Sequence, residues 1–400
     1  MRFGARKAIV FAALFVLAQA CKKPAPEKPS ESPKEPPPSV VKAAASSSAE
    51  PNDAGSAELD AMEARLRKVF APQIGPGRGK NRGAVVGIAL HGERRILPFG
   101  RTRPDGDAAP DARTMFEVGS ITKTFTGLLL ADAIERGIVT DETRLDSIRP
   151  EWKSAAAGDI RLIDLVTHRS GLPRLPCNLR SPDPKRPYAS YDEEDLVRGL
   201  SDPSSTSPFC RLARHPSETI EYSNWGFALL GFSLATMQKM PFTDLLATRI
   251  AAPLGLSDTT YELSPDQRAR LAQGYDDHGE PTPLWDRKAM MGNGAVRATV
   301  TDILSYGEAY LHPERGGDLA PALRRATRLQ YEHGGSRIAY AWFLTKPGSL
   351  FHNGMTGGYA SFMKVYPSRD LVIAFLTNTA RDLDCFVEAI EDIKCVPGEK

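Results

Sequence analysis

The chain has 400 residues, 41% of them hydrophobic and 25% charged, with a formal net charge of +2. This is the composition of a globular protein with room for one large domain or two medium ones, and the near-neutral balance argues against a nucleic-acid partner. Five cysteines are an odd number, which in an exported protein leaves one outside any disulfide pairing.

Arg2, Arg6 and Lys7 precede an apolar run from Ala8 to Ala18. The run has the length of a signal h-region and is too short to span a bilayer as a helix. Leu17-Ala18-Gln19-Ala20-Cys21 is similar to a bacterial lipobox, whose cysteine is lipidated and becomes N-terminal. Ala18-Gln19-Ala20 also reads as a plain A-x-A cleavage site. Lipidation of Cys21 is the preferred reading, because the cysteine directly follows the site and a tether comes next. Residues 22–60 hold 8 Pro, 7 Ser and 7 Ala and no aromatic residue. Such a stretch cannot bury enough apolar surface to offset its ordering entropy. It would reach about 35 Å as a coil and about 120 Å as stretched polyproline. The expected organisation is a signal peptide over 1–20, a lipidated Cys21 with a disordered tether to 60, and one folded domain over 61–400. The expected location is that of an exported bacterial lipoprotein on the periplasmic face, with Lys22 favouring the outer membrane. Residues 1–21 contain three cations and no acid, so the remainder carries a net charge of −1.

Within the folded part, Ala61 to Phe70 reads as an amphipathic helix. Ala84 to Leu90 is apolar and β-branched, and a turn at His91-Gly92-Glu93 leads to a strand near Arg95 to Pro98. Ser120 to Arg136 is apolar around most of a helical circumference, which predicts a buried helix, and Gly137 sits at its C-cap position. Residues 173–218 read as a long surface excursion with Cys177 and Cys210 near its ends. Ile338 to Leu344, Tyr359 to Tyr366 and Leu371 to Thr377 are strand candidates, with a turn at Pro367-Ser368-Arg369-Asp370. Asp382 to Ile393 reads as a closing helix. Strands at both ends with helices between predict an α/β fold of the α+β type. Its antiparallel sheet would have about five or more strands, flanked by helices, with an inserted all-helical lobe.

Ser120-Ile121-Thr122-Lys123 begins the buried helix. Residues i and i+3 share a helix face, so the hydroxyl and the amine can meet. A buried lysine at a helix N-terminus can lose its proton and help activate a serine. Ser39 with Lys42 lies in the tether, and Ser361 with Lys364 lies on a predicted strand, where i and i+3 face opposite ways. Tyr222-Ser223-Asn224 is the single Y-x-N of the chain. Its hydroxyl can relay protons and its amide can hold a carbonyl. His352-Asn353-Gly354-Met355-Thr356-Gly357-Gly358 precedes a strand and joins a polar group to glycines that admit a ligand to the backbone. Lys346-Pro347-Gly348 and His333-Gly334-Gly335 fit that role less well.

In this order, the three elements resemble the penicillin-recognising serine hydrolases, and more closely the class C β-lactamase branch with its DD-peptidase and esterase relatives. Further matching segments are Phe116 to Lys123, Leu165 to Pro173, Gly226, Pro253-Leu254-Gly255-Leu256 and Gly292-Asn293-Gly294. The resemblance spans about residues 61–395 and implies a β-lactamase/transpeptidase-like fold. It implies Ser120 as the acylated nucleophile, Lys123 as its proton partner and Tyr222 as a second relay. Asn224, His352, Gly354 and Thr356 would bind substrate, with His352 at the position of the third-motif cation. The backbone N–H groups of Ser120 and Met355 would form the oxyanion hole. His-Asn-Gly stands where class C β-lactamases have Lys-Thr-Gly, which favours a DD-carboxypeptidase/endopeptidase acting on peptidoglycan stem peptides. A class C-like β-lactamase or esterase, or a catalytically silent cell-wall-binding protein, is the alternative. β-Lactams are the expected acylating ligands.

His168 reads as a loop-structuring residue. The seven histidines have no metal-ligand spacing, so no metal or cofactor is implied. Apart from Cys21, four cysteines allow three pairings. Cys177 with Cys210 is preferred, since both lie in loop-like sequence, and Cys385 with Cys395 requires the last helix to stop before Cys395.

Overall fold

The computed structural model describes residues 53–76, 80–103, 106, 108–153, 157–201 and 217–383. Cys21, Cys210, Cys385 and Cys395 lie outside these residues, as does the helix expected beyond 383. The first described element is helix α1, Asp53–Phe70. It corrects the tether boundary expected at 60. Leu59, expected to end the tether, is 0% exposed and packs with Leu66 and Phe70 against the sheet. One buried leucine per two turns, in phase with the later apolar residues, is enough to extend the helix backwards.

Strands β1 (Gly83–Leu90) and β2 (Glu93–Gly100) form a hairpin. His91 and Gly92 link them at φ 52° and 81°, the left-handed pair that matches strand twist in a two-residue turn. Strands β3 (Phe116–Glu117) and β4 (Arg297–Ala298) form a separate two-stranded ladder. The chain then adds β5 (Tyr331–His333), β6 (Ser336–Ile338), β7 (Phe343–Leu344), β8 (Leu350–Met355), β9 (Ala360–Tyr366) and β10 (Leu371–Thr377). The main sheet has eight strands in the order β2-β1-β10-β9-β8-β7-β6-β5. All its pairings are antiparallel.

Two expectations change here. Ile338 to Leu344 is not one strand. The chain reverses over Ala339–Trp342, closed by the Ala339 N–H to Trp342 O bond of 2.9 Å, with Ala341 at φ 67°. The His352 segment does not merely precede a strand, because residues 352–355 lie inside β8. The rejected segments are hairpin turns: Gly334-Gly335 joins β5 to β6, and Lys346-Pro347-Gly348 lies between β7 and β8.

Both faces of the central strands are covered. Along β10, Leu371, Ile373 and Phe375 join α1 in one apolar cluster, while Val372, Ala374 and Leu376 join the larger core on the other face. This two-sided burial is why β1 and β10 read as unbroken apolar runs. The larger core contains helix α2, Thr122–Glu135, with 12 of its 14 residues buried. Gly137 ends it at φ 71°; its N–H bonds Ile134 O at 2.9 Å and the Ile138 N–H bonds Ala133 O at 2.9 Å. Helix α3, Asn224–Gln238, and helix α4, Val300–Leu311, pack into the same core. Between β3 and β4 in sequence come α2, α3 and the shorter helices Leu162–Val166, Glu193–Ser201 and Phe242–Leu246, which supply the helical insertion.

Candidate active site

Gly119–Ile121 forms a 3-10 turn ahead of α2, so Ser120 sits on the turn and Lys123 in the first turn of the helix. Three bonds pin α2 to the segment after Met291. Thr122 Oγ1 accepts from Val296 N–H (3.0 Å), Thr126 Oγ1 donates to Gly292 O (2.7 Å), and Lys123 Nζ donates to Asn293 O (2.6 Å). Lys123 Nζ also lies 3.1 Å from Ser120 Oγ and 2.8 Å from Asn224 Oδ1.

Lys123 is 0% exposed. Burial first, and the nearby Arg287 and Arg174 guanidinium groups second, hold its pKa well below the usual lysine range. No carboxylate stands among its hydrogen-bond partners. A neutral amine has two N–H donors and one lone pair. Its three neighbours here are two carbonyl acceptors and one hydroxyl, so the lone pair is left for the hydroxyl.

Tyr222 stands over this amine, with Lys123 Nζ 4.8 Å from its ring centroid. Burial pushes the phenol up to about 12, against an opposing hydrogen bond with Ser120. The phenol therefore keeps its proton at neutral pH. The Tyr222-Ser223-Asn224 stretch is held by the loop around His168, which sits at φ 56°. His168 Nδ1 accepts the Ser223 N–H (3.1 Å), and its carbonyl accepts the Glu221 N–H (2.8 Å). Ser223 caps α3 by accepting the Gly226 N–H at 2.9 Å. Burial and the nearby Lys123 keep His168 well below the usual histidine range. It is a neutral scaffold whose imidazole packs 4.4 Å from the Tyr222 ring.

β8 closes the opposite side. A Cβ added to Gly354 would lie 2.1 Å from Val118 O and 2.9 Å from Ser120 N; one added to Gly119 would lie 2.5 Å from Met355 N. The two glycines let the nucleophile turn approach the strand and bring the Ser120 and Met355 amides together. Gly354 thus forms the cleft by close packing.

His352 and Thr356 differ from expectation. His352 is 0% exposed, with Nδ1 2.6 Å from Asn353 O. Burial, then the charge of Lys123, lowers its pKa to about 3, so the third motif presents no cation. Thr356 is 3% exposed, and its Oγ1 accepts the Gly358 N–H at 3.5 Å. Asn353 and Met355 are the exposed residues of β8.

Several site residues escape the sequence reading. Arg287 is buried between the Tyr188 and Trp285 rings, 4.9 and 4.7 Å from their centroids, and donates to the Asn293 side chain. Asn293 supplies the carbonyl for Lys123 and donates to Asn224 O at 3.3 Å. The Gly292-Asn293-Gly294 match marked this segment without giving its role. Arg174 follows Gly171-Leu172-Pro173, and its guanidinium lies 5.1 Å from the Tyr222 ring centroid. Arg287 carries no local signal.

A serine beside a charge-depleted lysine, with two backbone amides facing the same turn, defines a serine acyl-transfer site on a mixed α/β scaffold. The family model described as Beta-lactamase matches residues 59–396, and the chain belongs to that family as a serine hydrolase. It is 26% identical over 342 residues to the D-alanyl-D-alanine-carboxypeptidase/endopeptidase AmpH of Escherichia coli, covering 79% of this chain and 84% of that protein. It is 28% identical over 245 residues to a beta-lactamase of Lysobacter lactamgenus, covering 61% and 58% of the two chains. The fold matches a class C beta-lactamase from Rhodobacter sphaeroides at TM-score 0.70 and 24% identity, over 83% of this chain and 98% of that one. It also matches the D-alanine carboxypeptidase AmpC from Burkholderia cenocepacia at TM-score 0.69 and 20% identity, over 83% and 97%.

Proposed function

We propose that the chain is a DD-carboxypeptidase/endopeptidase that opens D-alanyl peptide bonds of peptidoglycan stem peptides through an ester on Ser120. The observation that carries this reading is the Lys123 amine, buried without a carboxylate partner, 3.1 Å from the Ser120 hydroxyl. Ser120 Oγ attacks the carbonyl carbon, and its proton passes to the Lys123 lone pair. The carbonyl oxygen takes up the negative charge and is held by the Ser120 and Met355 N–H groups. As the C–N bond breaks, Tyr222 gives its proton to the departing amine and recovers one from Lys123. Water then repeats the sequence in reverse and frees the acid. No group beyond the protein and water enters the balance. Asn224 holds the acyl-side amide, with its carbonyl oxygen fixed by Lys123.

The peptide substrate is supported over a β-lactam by His352-Asn353-Gly354 in place of the Lys-Thr-Gly of class C β-lactamases and by the name of the Escherichia coli relative. The test is incubation with a D-Ala-D-Ala peptide, nitrocefin and radiolabelled penicillin. The expected result is release of D-Ala and stoichiometric penicilloylation, both absent in Ser120→Ala. Nitrocefin turnover faster than peptide turnover would make the chain a β-lactamase instead.

We also propose export with cleavage before Cys21, lipidation of Cys21 and anchoring to the outer membrane through the segment that follows. The lipobox-like Leu17 to Cys21 supports this. Palmitate labelling lost in Cys21→Ser is the expected outcome, and unchanged membrane recovery of that variant would refute it. Pairing of Cys177 with Cys210 belongs to the same proposal, since both lie in the excursion after Pro173.

A further inference from the structure

The β8 wall of the cleft carries no positive charge. His352 is buried and no carboxylate pairs with it among the described residues, while its exposed neighbours Asn353 and Met355 are uncharged. Besides the buried Arg287, a second guanidinium stands near the reacting groups, that of Arg174. Arg174 is an exposed residue, and its guanidinium lies 5.1 Å from the centroid of the Tyr222 ring. Its backbone carbonyl accepts the N–H groups of Asn224 (2.9 Å) and Trp225 (3.3 Å), which ties the residue to the first turn of α3.

Several arginines among the described residues have a carboxylate: Arg161 holds Asp164, Arg249 holds Asp132, Arg270 holds Asp258 and Arg325 holds Glu135. Among the described residues Arg174 has none. A guanidinium stacked on an aromatic ring is partly pre-organised, and its planar fork matches a carboxylate in two parallel hydrogen bonds. Here the backbone is anchored, the residue is exposed, and it adjoins Asn224, the residue that would hold the acyl-side amide. Its field reaches the reacting groups, since it contributes to lowering Lys123 and opposes the rise of Tyr222.

We propose that Arg174 is a specificity residue that binds a carboxylate on the acyl side of the substrate, so that the preferred acyl donor is a peptide with a free side-chain carboxylate lying along the Tyr222–Asn224 wall. The inference rests on the acyl-transfer reading above and adds the charge of its substrate.

The experiment uses the full chain and two peptide thioesters that differ only in a terminal carboxylate or carboxamide on the acyl-side chain. kcat/KM is measured for the wild type, R174Q, R174K and R174E. The expected wild-type preference for the carboxylate is about ten- to a hundredfold, the range of a hydrogen-bonded charge pair. The ratio should fall to about one in R174Q, stay above it in R174K and invert in R174E. A wild-type ratio near one overturns the proposal. So does a ratio that survives in R174Q while both rates fall together, because that is the signature of Arg174 merely holding Tyr222 and Asn224. Penicilloylation of Ser120 in the same preparations reports separately on the acyl-transfer reading: its absence, with no thioester turnover, would fail that reading first.

Discussion

Lys123 decides the chemistry at the residue scale. Its depressed pKa and the raised pKa of Tyr222 divide the proton work between them: the amine starts empty and the phenol starts loaded. The sign follows. Activity needs neutral Lys123, so the acylation rate climbs as pH rises through the lowered lysine pKa and holds until Tyr222 ionises near 12. His352, lowered to about 3, and His168, also lowered, contribute no limb near pH 6.5. A pH profile of penicillin acylation should show one acid limb, retained in His352→Gln. A limb near pH 6.5 that vanishes in that variant would assign the base to histidine. Ser120 and Lys123 were legible in the sequence because i, i+3 on a helix is a local rule. The neutrality of His352 was not, because it comes from burial and from the charge of Lys123, which other parts of the chain bring to β8.

At the scale of elements, the site is an encounter between a turn and a strand. Val118 O, which would block a Cβ on Gly354, also accepts from Ser361 Oγ at 2.7 Å, so the nucleophile turn is bonded to β9 through the gap that Gly354 leaves in β8. Gly354→Ala should push the Ser120 and Met355 amides apart. Acylation should fall by about 10² or more, the loss typical of one misplaced oxyanion donor. Unaltered acylation in a folded variant would remove these amides from the mechanism. The apolar runs of β9 and β10 and the His91-Gly92 turn could be read from sequence. The reversal within Ile338 to Leu344 could not, since it is made by apolar residues without glycine or proline.

Among the described residues the main sheet is covered on both faces, and α1 packs on one of them. Leu59→Ala should cost about 2–5 kcal/mol, the usual range for a buried leucine, and lower the urea midpoint accordingly. Loss below about 0.5 kcal/mol would return residues 53–60 to the tether. The sequence showed that strands stand at both ends of the chain but not their order in the sheet, because antiparallel pairing between distant strands leaves no local trace.

That order has a consequence for how the protein is made. β1 is bonded on one side to β2, its neighbour in sequence, and on the other to β10, which ends at Thr377. A nascent chain can form the hairpin early, but the hairpin's inner edge stays open until residues 371–377 have been synthesised. Closure of the sheet therefore waits for a strand about 280 positions away, which gives a high contact order and a slow final step. A message truncated before residue 371 yields a chain with an unpaired, apolar β1 edge, a substrate for aggregation or proteolysis rather than a partly active enzyme.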